Sequence, residues 1–280
     1  MKSKKDFNKT IFILIPLISF IFLSCSTEEP ITPTEESPDI PPQSTFIMDF
    51  SEFPDTTSPV LLGKTLSPDT LQRTNWRWAA INIGFWNTIL TITLAVPVAA
   101  FAEAFNHEPV QQPDDSWLWS YDVTVGGIVH TANLFGTSVT NGVEWRMLLT
   151  KQGFYENFEW YTGFSNQLHT EGNWTLNKNP DDPVSFLYIT WHRNIEQNTA
   201  DIKYTNIVPQ APENGSYIFY GKTTGNQYDR FYDIYGQVEN RLINIEWNYV
   251  NLFGRVMDPI YFGDTDWHCW DEQLFNIDCQ

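Results

Sequence analysis

The chain has 280 residues, 16% of them aromatic with 12 Trp, and 34 acidic residues against 16 basic ones give it a net charge of −18. That length allows one large domain or two small ones with enough core for independent stability. A surface this acidic repels phosphate backbones, which excludes nucleic acid as a partner, and it disfavours anionic lipid surfaces unless the attachment is covalent.

The chain begins with an address. Lys2, Lys4, Lys5 and Lys9 form a positive start, and Ile11 to Leu23 is an apolar run of signal-peptide length, short for a bilayer span. The run stops at Phe22-Leu23-Ser24-Cys25, which resembles the lipobox of bacterial lipoproteins, with Phe22 where Leu is usual. The resemblance implies a signal peptide over residues 1–24. It also implies that Cys25 is the first mature residue and carries the lipid, with a membrane as partner through that anchor. An ordinary signal peptide cut nearby, with Cys25 left as a free thiol, is the alternative. Loss of residues 1–24 removes the four lysines and Asp6, leaving 12 basic and 33 acidic residues, or −21. Ser26-Thr27-Glu28-Glu29 resembles the surface-export signal of Bacteroidetes-type lipoproteins, which implies an outer-membrane protein displayed on the cell surface rather than on the periplasmic face. Asp55-Thr56-Thr57 and Asp69-Thr70-Leu71 resemble the O-glycosylation acceptor of that group.

Residues 25–45 are rich in Pro, Thr and Glu, and such a composition predicts a disordered tether. A single β-rich domain is expected over 46–280, with Phe46–Phe53 as a first strand. A helical segment is expected at about 70–106, starting behind Ser67-Pro68-Asp69. Within it, Trp78 to Ala102 contains no Asp, Glu, Lys or Arg. Its length is that of a membrane span, but Asn82, Asn87, Thr88, Thr91 and Thr93 are spread through it, and Gly84 and Pro97 interrupt it. A buried helix broken near Pro97 is therefore expected, apolar on most sides and wrapped by the strands.

From 116 to about 262 the pattern has period two. Trp117-Trp119-Tyr121-Val123, Val143-Trp145-Met147-Leu149, Phe158-Trp160, Val184-Phe186-Tyr188, Ile202-Tyr204, Tyr217-Phe219 and Ile243-Ile245-Trp247 each share a face. Turn residues such as Gly126-Gly127, Asn141-Gly142 and Asn214-Gly215 separate them. The fold class is mainly β: an antiparallel meander forming a curved sheet or half-barrel, packed on an N-terminal apolar helix or helical hairpin.

Residues 263–280 read as a C-terminal loop in which Cys269 and Cys279, an even pair once Cys25 is lipidated, form a disulfide. Nucleophile-elbow, zinc-helix, phosphate-loop and dinucleotide motifs are absent, and no cofactor is indicated. Two carboxylates across a cleft could serve a carbohydrate-active hydrolase, drawn from Asp264, Asp266, Asp271, Glu144 and Glu159. Asp264, Asp266 and His268 alternate, yet three hard ligands make a weak cation site, and no metal is assigned. Trp160, Tyr161, Trp174 and Trp191, near Glu159, Asn173 and Asn194, are the candidate platform for stacking on sugars. These features favour a non-enzymatic binding or structural role with a glycan or protein partner. The alternatives are a carrier of an apolar ligand and the hydrolase.

Overall fold

A computed structural model describes residues 36–54 and 72–279. The expected signal peptide, Cys25, and the segments that resemble an export signal and glycosylation acceptors lie outside the described residues. Ser37–Gln280 forms one compact unit.

Among the described residues, fourteen strands make one antiparallel sheet in strict sequence order. They are β1 (Val110–Gln111), β2 (Trp117–Val125), β3 (Ile128–Val139), β4 (Gly142–Lys151), β5 (Tyr155–Asn166), β6 (Glu171–Asn179), β7 (Asp182–Asn194), β8 (Thr199–Asn206), β9 (Tyr217–Lys222), β10 (Arg230–Gly236), β11 (Arg241–Trp247), β12 (Gly254–Met257), β13 (His268–Trp270) and β14 (Asn276–Ile277). The meander follows from its turns. Gly126 and Gly127 join β2 to β3 with φ of 57° and 80°, the positive pair that a two-residue hairpin of right-handed strands requires.

The inner face of the sheet is a lattice of indoles and glycines. Trp117, Gly136, Trp145, Gly163 and Trp174 stand opposite one another from β2 to β6. Trp247, Gly254 and Trp270 repeat the device from β11 to β13. An indole needs more width than one cross-strand position supplies, and a neighbour without Cβ gives it room. A Cβ on Gly163 would lie 2.2 Å from Trp174 Cε3, and one on Gly254 would lie 2.3 Å from Trp270 Cζ2.

Several strands carry apolar residues on both faces, so the stripes singled out by periodicity are not always the buried ones. On β7 the core takes Leu187, Ile189 and Trp191, while Phe186 and Tyr188 are only partly covered. On β9 it takes Ile218 and Tyr220, and Tyr217 and Phe219 pair outside with Tyr235 and Phe231. On β5 the register shifts against β4, where Met147 faces Tyr161 and Leu148 faces Glu159. Trp160 is the extra residue of that bulge, and Trp160 and Tyr161 are consecutively buried.

Residues 45–53 are not the expected first strand. They cross the interior between two single 3-10 turns, Gln43–Thr45 and Phe50–Glu52. Phe46, Met48, Phe50 and Phe53 are all buried. An irregular segment inside a core must find partners for its peptide groups, and here aromatic side chains supply many of them. Trp174 Nε1 on β6 donates to Thr45 O at 3.0 Å. Tyr204 Oη on β8 donates to Phe46 O at 2.8 Å and accepts from Met48 N at 2.9 Å. Tyr232 Oη on β10 donates to Asp49 O at 3.4 Å, and Trp247 Nε1 on β11 to Glu52 O at 3.1 Å. Glu52 itself accepts from Arg230 and Tyr220. Trp and Tyr combine a large apolar body with one polar tip, which accounts for their abundance on these strands. The folded unit also reaches into the expected tether of residues 25–45, since Pro41 and Thr45 are buried and Ile40 packs on the core.

Helices α1 (Thr74–Thr93) and α2 (Ala95–Ala104) meet at a 71° bend. The break falls at Leu94 rather than at Pro97. Pro97 lacks the N–H that would bond to Thr93 O, and its ring opposes the carbonyl four residues back, so α1 stops at Thr93 and Pro97 sits in the first turn of α2. α1 packs on β12, β13 and β14, while α2 packs on β2. The bent pair therefore bridges β2 near one end of the sheet and the short strands β12 to β14 at the other, ends that do not pair with each other. Tyr121 Oη donates to Ala100 O at 2.6 Å on the α2 side. On the α1 side, Asn75 Nδ2 donates to Cys269 O at 2.9 Å and Asn276 N to Gln72 O at 2.6 Å.

This position corrects the expected enclosure of the helix. Trp76, Ala79, Ala80, Ile83 and Leu90 of α1 face the core, but Phe85, Ile89 and Ile92 are 62%, 40% and 73% exposed. A helix that fills a seam has one side on the protein and one side outside.

The C-terminal segment is also more ordered than a loop. β13 and β14 extend the sheet, and a disulfide joins Cys269 to Cys279 across a separation of 10 residues. Closing a loop of that length contributes about 3 kcal/mol on the chain-entropy account. Asp258 ties this end to α1. Its fully buried carboxylate caps the short helix α3 (Pro259–Phe262) and accepts from Trp78 Nε1 at 2.8 Å and from the Arg241 guanidinium. Burial pushes its pKa up, but Arg241, Trp78 and the Tyr261 N–H prevail and hold it below the usual carboxylate value. Trp78 stacks flat on Tyr261 with ring centroids 3.7 Å apart.

Candidate functional site

The helix break opens a cavity of about 440 Å3. Asn87, Leu90 and Thr91 of α1 and Leu94 at the bend lie on one side at helical spacing, and Ala95 and Val98 continue that wall onto α2. The opposite wall is the interior segment Ile47–Ser51, with Tyr204 of β8 at its base. Met48, Phe50, Leu90, Leu94 and Tyr204 are buried, whereas Asp49, Ser51 and Thr91 are exposed. The result is an apolar floor with a polar rim. The Tyr204 hydroxyl is already committed to Phe46 O and Met48 N. Asp49 Oδ1 accepts from Ser51 N at 2.9 Å and from Ser51 Oγ at 2.6 Å, and Thr91 Oγ1 donates to Asn87 Oδ1 at 3.1 Å. Asp49 brings the only formal charge among the lining residues, so an anionic group at the rim would be repelled. Volume and lining match small-molecule sites, which commonly measure about 300–1,000 Å3 and are mostly apolar.

A second concavity, of about 490 Å3, lies on the outer face of β3 to β6. Phe135, Arg146 and Thr162 are successive cross-strand neighbours there, followed by the row Glu144, Phe164 and Asn173. The Arg146 guanidinium lies 5.1 Å from the Phe135 ring centre. Asp114 at the edge is held below the usual carboxylate pKa, first by its hydrogen bond from the Ser116 hydroxyl at 2.6 Å.

The four aromatics expected to stack on sugars do not form a platform. Trp160 is 9% exposed, and Tyr161, Trp174 and Trp191 have no exposed surface. Trp174 packs edge-on against Phe46 and Phe101 and holds Thr45 O, and Tyr161 packs on the same two Phe rings. They are buried because their strand phase, and at Trp160 the bulge, turns them inward.

The carboxylates of two acidic candidates, Asp264 and Asp271, have structural partners. Asp264 Oδ1 accepts from Asp266 N and faces His268 Nε2, both at 3.0 Å, and the His268 contact is the main cause of its depressed pKa. His268 stacks on Phe262 at 3.7 Å. Asp271 Oδ1 accepts from Gln273 N and Phe275 N, both at 2.9 Å, and so holds a turn. Asn177 donates to the Glu159 carbonyl, and Glu144 stands exposed in the outer groove. Among the described residues no group of three or more His, Cys, Asp or Glu side chains is placed to hold a metal ion.

Sequence reasoning missed the inner cavity residues Met48, Leu90, Leu94 and Val98. The one cue was the distance from Thr93 to Pro97, which places the bend; nothing local indicates that an interior segment passes opposite it. Comparison with protein-family models, curated protein sequences and solved structures returned no match for this chain.

Proposed function

We propose that this protein is an outer-membrane lipoprotein, anchored through Cys25 and displayed at the cell surface, that binds an apolar small molecule between its bent helix pair and the segment Ile47–Ser51. The cavity of about 440 Å3 with a floor of Met48, Phe50, Leu90, Leu94 and Tyr204 carries this reading. Burying an apolar chain there gains roughly 25 cal/mol per Å2 removed from water. The rim of Asp49, Ser51, Asn87 and Thr91 accommodates a neutral or cationic polar end. The lipobox resemblance at Phe22–Cys25 supports the anchor, and the acidic residues behind it support surface display.

The test is solvent extraction of the mature protein purified from membranes, followed by mass spectrometry, together with titration by the neutral fluorophore N-phenyl-1-naphthylamine. A co-purified apolar compound that displaces the fluorophore is expected, and Thr91→Trp, which places an indole at the exposed rim, should abolish fluorophore binding. Binding unchanged in Thr91→Trp would refute the assignment of the cavity.

A glycan reading keeps one supporting observation, the outer groove in which Phe135 and Phe164 stand beside Glu144, Arg146 and Asn173. A glycan screen in which Phe164→Ala abolishes a hit would favour it.

A further inference from the structure

Phe85, Ile89 and Ile92 lie at i, i+4 and i+7 on α1, so they form one stripe along two turns, opposite the face that carries Ile83, Leu90 and Leu94 into the core. The buried face already anchors α1 to β12, β13 and β14, and among the described residues no element covers the stripe. Large apolar side chains exposed in a row are uncommon on a surface that meets only water. Trp86 flanks the stripe, half-buried and edge-on to Phe85 with centroids 6.4 Å apart.

We propose that this outer face of α1 docks on the lipid bilayer, lying in the interface rather than crossing it. The bend at Leu94 and the absence of any single helix long and apolar enough to cross, among the described residues, fit a helix that lies along a surface. Charge selects the occupant. In a chain of net charge −18, Trp78 to Ala102 carries no Asp, Glu, Lys or Arg. This face can therefore approach headgroups without bringing the repulsion that acidic surface meets elsewhere. Its threonines and Asn82 suit the hydrated headgroup layer.

Reach supports the same occupant, and this step rests on the lipid-anchor reading. Residues 26–36 separate Cys25 from Ser37, a span of about 40 Å at full extension. A domain tethered within that distance meets the bilayer at high effective concentration, so three apolar side chains suffice to bias its orientation. The docked face and the inner cavity share α1, which would place the cavity close to a source of apolar ligand.

The test uses the mature chain, residues 25–280 with Cys25→Ser, so that neither the apolar leader nor a lipid is present, and flotation with phosphatidylcholine vesicles. Flotation is expected, with little dependence on salt because the stripe is neutral. Phe85→Glu with Ile92→Glu should reduce the vesicle-bound fraction by about tenfold or more, while leaving the circular dichroism spectrum unchanged because both side chains point outward. In the lipidated protein, a nitroxide at Ile92→Cys should become accessible to oxygen and shielded from a water-soluble relaxant. The same label at Val238→Cys, an exposed turn residue, should not. Absence of flotation together with a water-accessible label at position 92 would overturn the proposal. So would light scattering that shows a dimer dissolved by the same two substitutions, since a second copy would then own the stripe. Failure of labelled palmitate to reach Cys25 would remove the anchor alone and leave the flotation result to decide the docking face.

Discussion

Two tyrosines buried in the same core should respond to the same substitution with opposite outcomes. Tyr204 Oη both donates to Phe46 O and accepts from Met48 N, at 2.8 and 2.9 Å. Tyr204→Phe keeps the ring and leaves two peptide groups of a buried irregular segment without partners. An orphaned buried polar group costs about 1–3 kcal/mol. Because the cavity beside Tyr204 can admit water, we expect about 2–4 kcal/mol of destabilisation in total, near the lower half of the summed range. Tyr161 Oη is equally buried but has no hydrogen-bond partner among the described residues. Tyr161→Phe removes a desolvated hydroxyl and forfeits no bond, so stability should be unchanged or raised by about 1 kcal/mol. Urea unfolding followed by tryptophan fluorescence, with unchanged m-values, measures both. In a domain of this size each kcal/mol also moves Tm by about 2–4 °C. A cost below about 0.5 kcal/mol for Tyr204→Phe, or equal costs for the two variants, would refute the view that aromatic polar tips hold the interior segment.

The indole–glycine lattice and the Asp258 cluster give further tests. Gly163→Ala should destabilise by about 1–3 kcal/mol, since its Cβ would meet Trp174 Cε3 at 2.2 Å and Asn173 O at 2.6 Å. Combining it with Trp174→Phe should cost less than the sum of the two, and strict additivity in a double-mutant cycle would rule the clash out. Gly84, on α1, has nothing within 4 Å of an added Cβ, so Gly84→Ala should stabilise by about 0.5–1 kcal/mol. Asp258→Asn should cost about 2–4 kcal/mol at neutral pH, below the full cost of breaking a buried pair because Arg241 is partly exposed. The folded-state pKa of Asp258 lies below its unfolded value, so its contribution is present above about pH 4 and is lost as pH falls through the folded value. The variant should therefore show a shallower acid limb of stability against pH than the parent, and identical limbs would contradict the assignment.

The sequence by itself determined that the body is a β meander, because period-two patterns and turn residues act between neighbours along the chain. It determined the apolar helix, since uncharged composition over 25 residues is a local property, and it marked Cys269 and Cys279 as partners by elimination. Only the tertiary structure decided which face of β7 and β9 is inside, because both faces are apolar and burial depends on what stands opposite. It alone placed residues 45–53 in the interior, where their peptide groups bond to side chains more than 120 positions away. The bulge at Trp160 depends on the pairing of β4 with β5, and it buries two aromatics that periodicity assigns to opposite sides. The cavity exists only because a proline-directed bend in the helices faces a segment that arrives from the other end of the fold.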